Sequence, residues 1–286
     1  MLHLANAHLR LDLLDPVADA ARLGPRFCGG GFIWQVHDLT NAVAPVPLLA
    51  GPAWPSPTPP PFDAQGLPES FRHRTRNGAP LTWNGTHGLA IGAGSLSADT
   101  TGNVTLTEPC AWTITSSSRR ILFETRQTTA GFACALGRTI ELTGRTIRST
   151  TRLTNLGSAP LAPQWFAHPF FALTEERARV EFPAGTTLAE NPGFALNDRT
   201  LSFKRRFAGK DDGQFSLLAL PPARELTAAL DHPSLAHVTF ATSFVPDECP
   251  VWANGHTISI EPYLTLRLAP GESREWSLRY EFIARP

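Results

Sequence analysis

No charge of either sign predominates in the 286 residues: 25 Lys and Arg stand against 25 Asp and Glu, so no net field holds nucleic acid, an anionic membrane or a strongly acidic partner. Any charged ligand has to be met locally. No apolar run approaches the ~18 residues of a membrane helix. The first residues, MLHLANAHLRLDLLDP, alternate apolar with polar and carry Asp12 and Asp15, where a secretory signal has a basic stretch and an unbroken apolar core. The expectation is a soluble, cytoplasmic protein. Cysteine is sparse: Cys28, Cys110, Cys134 and Cys249 form no Cys-x-x-Cys and have no His at a spacing that completes a zinc site, which predicts buried free thiols and no metal. Gly29-Gly30-Gly31 is followed by a strand-like segment and no clear helix, which excludes a dinucleotide fingerprint. Nothing repeats at 20–50 residues, which argues against a propeller.

What is present is short period-two segments separated by turns. Strands are predicted over 2–14, 32–38, 88–96, 103–107, 110–115, 120–127, 131–142 and 145–154, then over 164–173, 179–182, 200–203, 215–220, 226–230, 236–243, 257–268 and 275–283. Residues 17–23 suit a single helical turn. Nine prolines between residues 45 and 68 rule out helix or central strand there and predict a long surface loop, with Trp54 and Phe62 as its anchors. The pattern implies an all-β sandwich of mostly antiparallel strands, folded as one domain over 1–286.

Two residues in this pattern have chemistry to offer. Gln164-Trp165-Phe166-Ala167-His168-Pro169-Phe170-Phe171-Ala172-Leu173 is apolar except for Gln164 and one imidazole. Pro169 biases His168 towards extended backbone, and the flanking rings desolvate it. In Ile258-Ser259-Ile260-Glu261-Pro262-Tyr263, alternation sends the isoleucines one way and Ser259 and Glu261 the other, and Glu261 again precedes a proline. An imidazole and a carboxylate are the usual partners in general acid–base catalysis. A satisfied core histidine is the plainer account of His168. Arg72, Arg74 and Arg76 alternate, so on one strand they would share a face suited to sugar oxygens or a phosphate; a charged, solvated edge strand is the plainer account. Trp165, Trp252 and Tyr263 are candidate flat faces for a sugar, with core packing as the alternative for each.

Together with their flanks, a Thr-Asn-Leu-Gly turn before HPFF and a Pro-Gly-Glu turn after IEPY, these motifs resemble the galactose mutarotase-like family of aldose 1-epimerases, nearest to its hexose-6-phosphate mutarotase branch. Arg76-Asn-Gly-Ala-Pro-Leu-Thr-Trp is similar to that branch's Arg-Gly-Gly-Ile-Pro-x-x-Trp. His87-Gly-Leu-Ala-Ile departs from its His-Gly-Phe-Ala-Arg by lacking the closing arginine. The resemblance implies a super-β-sandwich with an open sugar trough, interconversion of α and β anomers of a hexose or hexose phosphate, and no cofactor. It implies Glu261 as base and His168 as acid, with His87 and Arg76 orienting the ring and Asp211 on a sugar hydroxyl. The partner it implies is a small-molecule sugar or sugar phosphate; a sandwich that binds carbohydrate without turning it over is the rival reading.

Overall fold

Every second side chain is buried along Arg120–Thr129, Phe132–Thr143 and Thr146–Asn155, the period of a sheet with one face on the core. The first two are joined by Ala130 and Gly131, both at positive φ (53° and 81°), the backbone that matches a two-residue hairpin to the twist of its strands. The computed structural model describes residues 1–20, 23–41, 43–50, 65–174, 177–209 and 211–286. Trp54, Phe62 and most of the expected proline-rich loop lie outside the described residues. On either side of it, Val46–Pro47 pairs with His37 and Asp38, and Leu67 bridges to Ile33.

The meander forms one end of a ten-stranded antiparallel sheet, ordered Thr113–Ser116, Arg120–Thr129, Phe132–Thr143, Thr146–Asn155, Ser273–Ile283, His237–Thr242, Thr227–Asp231, Arg179–Glu181, Thr200–Phe203 and Phe194–Asn197. Two smaller sheets concern the site. One is three-stranded, with Gln164–Ala167 between Tyr263–Thr265 and Glu69–Arg72; the other is five-stranded, ordered Phe171–Ala172, Thr257–Ile260, Cys249–Ala253, Gln214–Ala219 and Thr187–Leu188. Two four-stranded sheets, over residues 2–47 and 83–109, complete the strands. No α-helix occurs among the described residues. One buried apolar cluster runs from Leu4 to Phe282, and a second joins Leu14, Phe27, Phe32, Trp34, Ala50 and Phe170.

A buried polar knot ties the large sheet to the three-stranded one. Glu69 and Arg138, 2% and 1% exposed, form an ion pair; Ser149, Thr151 and Trp165 donate to the carboxylate at 2.6, 3.0 and 3.1 Å, and Arg138 reaches the Gly30 carbonyl at 2.6 Å. The charges are compensated and the polar atoms shared, as burial requires. Gly30 is pressed against Trp112, whose ring would lie 2.4 Å from an added Cβ, which explains part of the glycine run.

Several expected strands divide. Residues 2–14 are a hairpin of Leu2–Ala5 and Leu9–Leu13, because Asn6 Oδ1 takes the N–H groups of His8 and Leu9 and turns the chain. Residues 88–96 turn at Gly92 (φ 77°) between His87–Ala90 and Gly94–Ala98. The row of arginines is also corrected: the strand ends at Arg72, and Thr75–Ala79 closes a turn through Gly78 (φ 82°). Arg74 then lies over Trp83 at 4.4 Å, while Arg76 leaves in another direction. Cys249–Ala253, unforeseen because it contains Pro250, is an interior strand; the Pro250 carbonyl accepts the Glu261 N–H at 2.9 Å.

Candidate active site

Two segments run antiparallel through both smaller sheets, and each carries a proline where it passes from one sheet to the other. Phe166 stands opposite Tyr263 in the three-stranded sheet and Phe171 opposite Ile258 in the five-stranded one. These are one register, interrupted in the middle; continued from either side, it sets His168 opposite Glu261. Pro169 and Pro262 have no N–H, so the ladder loses rungs at that point and keeps only a long bond from the Ala167 N–H to the Pro262 carbonyl, at 3.4 Å. The His168 and Glu261 N–H groups face the outer neighbours and continue those registers, His168 bonding the Pro68 carbonyl and Glu261 that of Pro250, each at 2.9 Å. Opposite residues share a face, and the side chains meet: His168 Nε2 lies 3.4 Å from Glu261 Oε1.

Ile258 and Ile260 turn into the core, while Ser259 turns with Glu261. Its hydroxyl is 3.0 Å from His168 Nδ1 and also bonds the Glu261 carboxylate. Phe170 stacks on the imidazole with centroids 4.4 Å apart; Phe27, Phe166 and Trp252 approach it at 6.1, 6.1 and 6.0 Å. His168 is 6% exposed and Glu261 5%. Burial pushes the Glu261 carboxyl up to about 7 against the pull of Arg26, Arg76, Ser259 and Arg72. Burial pushes His168 down to about 3, and Arg26 acts in the same direction. The 3.4 Å approach is within ion-pairing distance, yet burial raises the carboxyl and lowers the imidazole, so the shared proton is held by Glu261 beside a neutral His168 in place of a standing ion pair.

Arg76 stands beside this pair. Its guanidinium is 2.8 Å from Glu248, 5.0 Å from the centroid of the Phe215 ring and 5.8 Å from that of Tyr263. Tyr263 is 4% exposed and stacked on Phe166 at 4.7 Å, so little of its face is open; burial, then Glu261, raises its hydroxyl above the usual phenol range. Trp165 is corrected as a sugar platform: it is fully buried, packed on Phe244 and Trp276 at 5.6 and 5.4 Å, with its N–H on Glu69. Alternation decides this, since Trp165 and His168 differ by an odd step across the strand. His87 is exposed, and strand pairing sets it opposite Asn84 and Ser97. Asp211 is exposed on a loop that borders Trp252, where Gly255 N–H meets the Gly209 carbonyl at 3.1 Å. Its neighbour Asp212 takes Arg205 with both oxygens, at 2.6 and 2.7 Å.

Three participants were not foreseen, and a fourth, Phe170, is one of the flanking rings expected to desolvate His168. Arg26 lies 4.9 Å over Phe27 and acts electrostatically on both His168 and Glu261. Glu248 anchors Arg76, Phe215 lies beneath it, and Phe170 carries the imidazole. Only Phe170 had a local signal, standing two residues from His168 on the same side of an extended chain.

No protein-family model and no curated protein matches the chain. Among solved structures it is similar to a galactose mutarotase related enzyme from Lactobacillus acidophilus, with a TM-score of 0.63 at 12% identity over 99% of this chain and 97% of that one. A galactose mutarotase-like protein from Lactobacillus casei gives 0.61 at 13% over 98% and 99%, and an aldose epimerase homologue from C. elegans 0.56 at 11% over 100% and 99%. The all-β, antiparallel fold is thus the galactose mutarotase-like one, over the whole length of the chain.

Proposed function

We propose that this protein is an aldose 1-epimerase-type isomerase that interconverts the α and β anomers of a hexose or hexose phosphate. The observation that carries the reading is the cross-strand meeting of His168 and Glu261 at 3.4 Å, at the point where two prolines open the ladder. Ring opening needs a proton taken from the anomeric hydroxyl and one given to the ring oxygen. The pair carries one proton in two arrangements: carboxylate with imidazolium, or carboxylic acid with neutral imidazole. From the first, Glu261 takes the hydroxyl proton while His168 protonates the ring oxygen, which yields the second. After rotation about C1–C2, re-closure runs with the roles exchanged and the proton count unchanged. Burial favours the second arrangement, the one present with the open-chain sugar. Arg76 offers N–H donors to developing oxygen charge.

A second reading, a carbohydrate-binding sandwich without turnover, is favoured by the same pair's burial: at 6% and 5% exposure and in direct contact, the two side chains leave no sugar atom between them. Freshly dissolved α-anomers of glucose, galactose and their 6-phosphates, followed by optical rotation or anomeric NMR exchange, separate the two. Faster exchange supports the isomerase, and binding alone supports the module. Glu261→Gln is expected to abolish exchange in a folded protein; an unchanged rate removes Glu261 from the proton transfer.

A further inference from the structure

The outward face of the five-stranded sheet continues away from the pair as an apolar ramp. Register places Phe215 opposite Trp252 and Trp252 opposite Ser259, the residue bonded to His168; two residues along the strand, Leu217 is opposite Pro250, whose carbonyl holds Glu261. Opposite residues share a face, so these side chains form two rows leading out from the pair. Exposure rises along them: Ser259 is fully buried, Trp252 is half-buried, and Phe215 and Leu217 are 44% and 46% exposed.

Large apolar side chains placed singly on a surface need no explanation, but a contiguous patch leading from a buried polar pair does. Here Phe215 and Leu217 alternate outward on one strand while Ser216 and Leu218 are buried, so the sheet itself holds both in the open. One side of the Phe215 ring carries the Arg76 guanidinium at 5.0 Å, which Glu248 fixes at 2.8 Å. The platform is therefore aromatic and bordered by N–H donors, a combination that suits the C–H face and hydroxyl rim of a pyranose. Two strand spacings, about 10 Å, separate Phe215 from Ser259, beyond the span of one sugar ring bound at the pair.

We propose that the site extends along this face into a second carbohydrate subsite, with Phe215 and Trp252 as its platform and Arg76 at the seam, so that the ligand is a reducing oligosaccharide. Its reducing unit reaches Glu261 and His168, and the next unit stacks on Phe215. This rests on reading the pair as a sugar site. The test compares glucose and galactose with maltose, cellobiose and lactose, using tryptophan fluorescence for affinity and NMR for anomeric exchange on the same samples. At least one disaccharide is expected to bind about tenfold tighter than its reducing-end monosaccharide, roughly the worth of one aromatic contact, and Phe215→Ala is expected to bring that ratio to one. Equal affinities, no binding by any of these sugars, or a ratio that survives Phe215→Ala overturns the subsite. A disaccharide preference without accelerated exchange supports the subsite and overturns the isomerase; exchange on monosaccharides with no disaccharide preference does the reverse.

Discussion

Replacing Glu261 with Gln should change how stability depends on pH, and the structure sets both sign and size. The carboxyl is pushed from its ordinary 4.5 to about 7 by burial, so between those values the folded protein binds more protons than the unfolded chain. The stabilisation is complete below 4.5, declines as pH rises, and is lost above about 7. At about 1.4 kcal/mol per pKa unit, the wild type loses ~3 kcal/mol between pH 5 and pH 9 from this group alone. Glutamine has nothing to ionise, so the variant lacks that decline. Urea titrations followed by tryptophan fluorescence at half-unit steps from pH 5 to 9 give the two curves, and their difference isolates the group. Parallel curves would refute the claim that Glu261 is desolvated in the folded protein, and with it the proton-sharing pair.

If the pair works with one proton, kcat/KM for anomeric exchange should fall about tenfold per pH unit above roughly pH 7 as Glu261 ionises, which a pH–rate profile checks directly; a flat profile to pH 9 contradicts it. Arg138→Met leaves the Glu69 carboxylate buried without its cation and should cost about 3–5 kcal/mol, with substantial recovery on adding Glu69→Leu, read from urea midpoints. Gly66→Ala should destabilise by more than about 1 kcal/mol, since φ is 79° and an added Cβ would lie 2.2 Å from the Ile33 carbonyl oxygen; thermal melts report it.

Local patterning was enough to show an all-β chain and most of its strands, because side-chain alternation is a property of neighbouring residues. It misplaced boundaries where a turn hides inside an apolar stretch. Asn6 and Gly92 break what reads as continuous strand, and Pro250 masks a strand that lies inside its sheet, where its carbonyl still takes the Glu261 N–H. Trp165 was misassigned for a related reason: flanking aromatics cannot be sorted between site and core until one residue on the strand has a known direction.

The amino-acid order alone determined that His168 and Glu261 sit on extended backbone before prolines, and that Ser259 turns with Glu261 away from the isoleucines. Only the tertiary structure decided that the two stretches share one antiparallel register, that Arg76 is held by Glu248, and that the carboxyl rather than the imidazole keeps the proton. Strand pairing and burial between distant segments follow from the collapse of the whole core, and a pKa follows from that burial; none of these is written in any short run of residues.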